Sequence, residues 1–185
     1  MPLHYALTDA LVALIAGWGV LLMQRSGRSL AAVGLALFSI AGAIGTVRIT
    51  SGLIEPLANF HKAASQLGGI AGLSLLIAQL LHDLGVRQKA VMSMGLAAAV
   101  AAFAAALPSL GPPLFVMMLI GAVGLCLWSR NPIGASGFGL MLLNVTLLRR
   151  SDSLGPDWGW HIYHIVVASW LFCVTIGFLK SPRRD

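Results

Sequence analysis

Few residues in this chain could do chemistry, and they fall into two short clusters. Near the carboxyl end, Trp158-Gly159-Trp160-His161-Ile162-Tyr163-His164 puts two histidines three residues apart at the start of an apolar run. On a helix that spacing places them on neighbouring parts of one face, so both can point at a common ligand. A third histidine, His61, opens an earlier apolar run and is followed by Ser65, Gly68 and Gly72, a stripe of polar and small residues at helical spacing. Asp9 is the acid that falls inside an apolar run, and a charge at membrane depth costs a few kcal/mol unless it is paired, protonated or hydrated. Three histidines with a nearby carboxylate are the parts of a catalytic zinc site, in which the metal brings a bound water to a pKa of about 7. In that arrangement His61, His161 and His164 are the ligands, and Asp9 orients a ligand or takes the proton of the water.

The elements that must position these groups are membrane helices. Of the 185 residues, 58% are hydrophobic and 10% charged, and the mean hydropathy is +0.88; in soluble domains about a quarter of residues are charged. The net charge of +6 does not indicate nucleic acid, because the basic residues lie in short loops between apolar runs and read as topology signals. Cys126 and Cys173 fall inside apolar runs on different helices, as small hydrophobes, with neither a disulfide nor a metal assigned to them. The first run carries Asp9 and has no basic residue before it, which points to a retained helix rather than a cleaved signal peptide.

Seven runs approach the roughly 20 residues of a span: Tyr5 to Met23, Leu30 to Val47, Ala63 to Leu81, Ala90 to Leu107, Pro112 to Trp128, Ile133 to Leu148 and Ile162 to Leu179. The expected fold is an all-α polytopic transmembrane bundle of about seven helices in a single domain, 1–185. The fifth and sixth runs are short, and a re-entrant hairpin there would leave five spans. Placing the amino terminus outside puts eight loop Lys and Arg inside against four outside, with the carboxyl terminus inside. Arg149 and Arg150 are the pair that dissents. Gly68 and Gly72 provide close helix approach, the driving geometry of helix association in lipid.

This topology gathers Asp9, Arg48, His61, Lys62, His161 and His164 at the outer leaflet. Each has a plainer reading. Asp9 could be a structural partner of Arg48 or of a histidine, and His61 a headgroup-level residue. Trp158, Trp160 and Tyr163 read most simply as an aromatic belt to which His161 also belongs. His164, one turn deeper and in line with Ala168 and Thr175, is the histidine most firmly directed inward. His82-Asp83 reads as helix capping and topology, and Gln79 and Asn144 as interhelical hydrogen-bond partners.

In its helix count, early histidine and terminal histidine pair, the sequence resembles the CREST superfamily of intramembrane hydrolases, which includes the alkaline ceramidases and adiponectin receptors. The resemblance implies a zinc held by His61, His161 and His164, with Ser65 and Asp9 as the accompanying catalytic serine and aspartate. It covers the topology of the whole chain. The terminal pair here is HxxH where the family has HxxxH, and Ser65 follows the early histidine on the third helix where the family's serine precedes it on the second. The expectation is a zinc-dependent hydrolase of a lipid-like ester or amide in a bacterial-type inner membrane, its site on the outer face. Two other readings stay open. A single haem b held by His61 and His164 would make an electron-transfer protein with quinone as its partner. A non-catalytic accessory or scaffold subunit would instead use its small-residue helices to pack against membrane-protein partners and lipids.

Overall fold

The structure is a computed structural model and describes residues 3–86, 88, 92, 109–148 and 155–181. Six helices are found among them: α1 (His4–Arg25), α2 (Ser29–Thr50), α3 (Ala58–Asp83), α4 (Gly111–Trp128), α5 (Pro132–Thr146) and α6 (Gly155–Lys180). All but α5 are long and apolar enough to cross a membrane, so the chain is an integral, polytopic membrane protein with lipid as its surroundings. At 15 residues, α5 spans only about 22 Å, short of a hydrocarbon core of about 30 Å. The expected span from Ala90 to Leu107 lies outside the described residues.

The packing inverts the pattern of a soluble bundle. On α1 the leucines at heptad spacing, Leu7, Leu14 and Leu21, are exposed, while Asp9, Val12, Ala16 and Gly19 are buried. Lipid is as apolar as leucine, so burying a large side chain gains little. Small residues that let backbones meet gain contact instead. A methyl group on Gly42 would come within 2.8 Å of the Asp9 carbonyl oxygen and 2.9 Å of the Ala13 nitrogen, so α1 and α2 touch backbone to backbone. The expected Gly68 and Gly72 pair does the same between α3 and α2: Cβ atoms there would lie 3.2 Å from the Leu37 oxygen and 3.0 Å from the Gly34 oxygen.

We expect Gly42→Ala to destabilise the bundle by about 1–3 kcal/mol, because the rigid backbone of α1 must retreat. Gly124→Ala, where nothing lies within 4 Å of the new methyl, is expected to be neutral or slightly stabilising. Thermal unfolding in detergent compares the two directly, and equal midpoints would refute the close approach.

Trp170 is fully buried at the centre, with Phe38, Phe115 and Phe138 meeting its ring at steep angles from α2, α4 and α5. The α4–α5 turn uses Arg130 in a left-handed conformation (φ 56°), and Asn131 then caps α5 by accepting from the Gly134 amide at 2.9 Å. The Asn131 side chain also donates to the Gly177 carbonyl, which ties the turn to α6. Asn144 makes the expected interhelical bond, donating to the Tyr163 carbonyl. Among the described residues, Gln79 bonds Asp83 within its own helix.

Two helices begin earlier than their apolar runs. Helix α3 starts at Ala58 and α6 at Gly155, so His61 and the whole Trp158 to His164 stretch are helical. Hydropathy marks where lipid begins, whereas a helix can extend into the headgroups. Pro156 and Asp157 suit a first turn that needs no amide from proline and favours an acid. The starts of α1, α3 and α6 and the end of α2 therefore share one face of the bundle.

Candidate functional site: a buried Asp–His pair

Asp9 sits in the second turn of α1 and is 2% exposed. Its Oδ1 lies 2.9 Å from His164 Nε2 on α6, a contact between residues far apart in sequence. The other imidazole nitrogen, Nδ1, lies 2.9 Å from the Trp160 carbonyl one turn earlier. A carbonyl only accepts, so Nδ1 carries a proton. The proton between Nε2 and Oδ1 belongs either to an imidazolium facing a carboxylate or to a neutral pair; the net charge is zero both ways.

The second carboxylate oxygen is different. Asp9 Oδ2 is buried and has no hydrogen-bond partner. It lies against Gly45 of α2, where an added Cβ would overlap it and would stand 3.1 Å from His61 Nε2. Gly42 and Gly45 thus let α1 pack close to α2, and His61 Nε2 lies beside the same Gly45 position as Asp9 Oδ2. His61 Nε2 is also 3.5 Å from the hydroxyl of Ser65, which is exposed. Arg48, Asp9 and His164 are the charged neighbours whose fields His61 feels.

An aromatic roof covers the pair. The Trp160 ring lies 4.4 Å from the His164 ring, and Tyr5 meets Trp160 edge-on at 5.2 Å. The Tyr5 hydroxyl donates to the Asp157 carboxylate, joining the first turns of α1 and α6. His161 belongs to this roof, 3.5 Å from the Thr8 hydroxyl and packed against the rings of His4 and Tyr5.

Of the residues anticipated from sequence, Asp9, His61 and His164 do come together, Ser65 stands at the exposed edge, and His161 turns away. The zinc site is therefore not formed: among the described residues no group of three or more His, Cys, Asp or Glu could hold a metal ion. Both nitrogens of His164 are committed, one to Asp9 and one to Trp160, and His161 faces Thr8. The zinc-dependent hydrolase, with His61, His161 and His164 as ligands and Asp9 and Ser65 as catalytic groups, is withdrawn. Haem b falls with it, because His164 has no free ring nitrogen for iron and the Asp9 carboxylate with Gly45 occupies the space toward His61. A serine–histidine–aspartate relay is not built either, since His61 turns the same nitrogen, Nε2, toward both Ser65 and Gly45.

The opposite face holds a polar cluster that the sequence does not reveal. Arg28, read there as a loop charge, is buried; its Nε donates to Asp83 Oδ2 at 2.7 Å and its Nη2 to the Ser181 carbonyl at 2.8 Å. Gln79 satisfies Asp83 Oδ1 at 2.8 Å. Asp83 is thus no helix cap. The available signal was Gln79 four residues before an acid at a helix end, next to a loop arginine.

No protein family, no curated protein and no solved structure matches this chain.

Proposed function

We propose that this chain is a proton-linked integral membrane protein in which the Asp9–His164 pair gains and loses the proton and His61, with Ser65 beside it, connects the pair to water. One observation carries this reading: a buried carboxylate oxygen, Asp9 Oδ2, is left without a partner on the side of His61. An acceptor buried in that state is costly, and a proton placed on it turns it into a donor that can use the neutral His61 Nε2. Among the described residues, the other charged and titratable groups at this face are His4, Tyr5, Arg48, Glu55, Lys62, Asp157 and His161. Arg48 is near enough to His61 for its charge to act on that imidazole. Because the pair joins α1 to α6, a change in its proton content alters the contact between those helices. Proton occupancy is thereby coupled to the packing of the bundle.

Loop charge favours this face as the outer one. Among the described residues the opposite face exposes Arg25, Arg130 and Lys180, and its acid, Asp83, is buried against Arg28. That asymmetry agrees with the positive-inside rule and with a site open to the outside of a bacterial-type inner membrane.

Infrared difference spectroscopy across a pH jump on the purified protein tests the reading. The expected result is a protonated-carboxyl band that disappears in Asp9→Asn. His61→Ala should leave its final amplitude intact and slow its appearance by about tenfold or more, the effect of removing a proton donor from the path. Identical titration of wild type and Asp9→Asn would refute the proposal.

A further inference from the structure

The strongest feature outside the Asp9 site lies at the opposite face, where α1 turns into α2. Val20 and Gln24 of α1 and Ser29, Ala32, Val33 and Ala36 of α2 line an open groove of about 200 Å³. Its floor is small, with Ala32 buried and Ala36 half-buried, and its walls are apolar except at the Gln24 and Ser29 end. From Ser29 to Ala36 the groove runs about 10 Å along the helix axis, from headgroup level into the hydrocarbon.

Three features make the mouth of this groove favourable to a negative charge. Arg25 is exposed one residue beyond Gln24. Helix α2 starts at Ser29 with no side-chain cap, so its first-turn amides and the positive end of its dipole face the same level. Among the described residues no exposed acid opposes them: Asp83, the acid of this face, is spent on Arg28 and Gln79. An apolar slot with a polar end and an exposed cation next to it in the chain matches the two halves of one kind of molecule.

We infer that this groove is a binding site for an anionic phospholipid of the bilayer. The phosphate sits among Arg25, Gln24 and the start of α2, and the upper part of one acyl chain lies along Ala32 and Ala36. The site is independent of Asp9 and of the proton chemistry proposed for it. Its effect is to hold the α1–α2 hairpin against the leaflet beside Arg28, whose guanidinium fixes α3 and the end of α6.

Electron paramagnetic resonance of the full chain in nanodiscs provides the test, with spin-labelled phosphatidylglycerol compared against spin-labelled phosphatidylcholine in a phosphatidylcholine bilayer. Phosphatidylglycerol is expected to show a motionally restricted population several-fold larger than phosphatidylcholine. Arg25→Gln should remove that preference, while Arg130→Gln, an exposed cation of the same face away from the groove, should keep it. Ala36→Leu, which fills the slot at a half-buried position, should reduce the restricted population without changing the helical content. Equal restriction of the two lipids would overturn the inference. So would an equal loss of preference in Arg25→Gln and Arg130→Gln, which would mark general attraction to a basic surface.

Discussion

Replacing His164 with alanine is expected to destabilise the protein by about 3–5 kcal/mol, the loss typical when one member of a buried ion pair is removed. The reason lies in what remains rather than in what is lost. Asp9 is 2% exposed and its Oδ2 already lacks a partner, so the variant holds a carboxylate with both oxygens unsatisfied in a low-dielectric interior. The variant can relieve this only by protonating Asp9 or by loosening α1 from α6. Asp9→Asn added to His164→Ala should therefore recover part of the loss. The double-mutant cycle should return a coupling energy of about 1–3 kcal/mol, in the range found for residues in direct contact. Equilibrium unfolding in mixed detergent measures all four corners. A cost below about 1 kcal/mol for His164→Ala alone, the scale of an exposed ion pair, would mean that the two groups are not paired in the bundle.

Asp83→Ala is the second large effect, also expected near 3–5 kcal/mol. It leaves the Arg28 guanidinium buried with the Ser181 carbonyl as its remaining described acceptor, and it releases α3 from the start of α2. Arg28→Lys should not be conservative. A single ammonium on a flexible stem does not reproduce donors that reach Asp83 and Ser181 in two directions. Gln79→Leu should cost less, about 1 kcal/mol, since it removes one hydrogen bond to a carboxylate that Arg28 still neutralises. A joint replacement, Arg28→Met with Asp83→Leu, is expected to be close to neutral, because well-packed apolar residues often match a buried pair in stability. If Asp83→Ala and the joint replacement destabilise equally, packing rather than charge pairing holds this end together.

The two pairs differ in a way that bears on their roles. At the Arg28 end both carboxylate oxygens of Asp83 are bonded, and the pair acts as a rivet between helices. At the Asp9 end one oxygen is bonded and one is not, and the His61 imidazole lies beside the same glycine as the unbonded oxygen. Fully satisfied polar clusters specify a packing, whereas incompletely satisfied ones are where an added proton or ligand changes the balance.

Much of this protein was legible in its sequence because the relevant physics is local. Continuous apolar runs require helices in lipid, since no other open structure satisfies its own backbone there. An acid at position 9 inside such a run had to find a partner. The alignment of His164 with Ala168 and Thr175 directed it inward, and those two residues are indeed buried. What the sequence left undetermined was which groups meet. Histidines three residues apart on a helix differ by about 60° in direction and about 4.5 Å in height. That offset is enough for His164 to reach Asp9 while His161 reaches Thr8, and a shared ligand becomes two separate contacts. Likewise nothing local distinguishes Arg28 from a loop charge of the ordinary kind. Its burial follows from α3 and α6 ending at the same depth, a fact of tertiary packing that also decides that Asp83 binds an arginine rather than capping a helix. The sequence thus determined the solvent, the helices and the need for charge compensation. The choice of partners depended on distances between segments some 50 to 155 residues apart, which only the folded bundle sets.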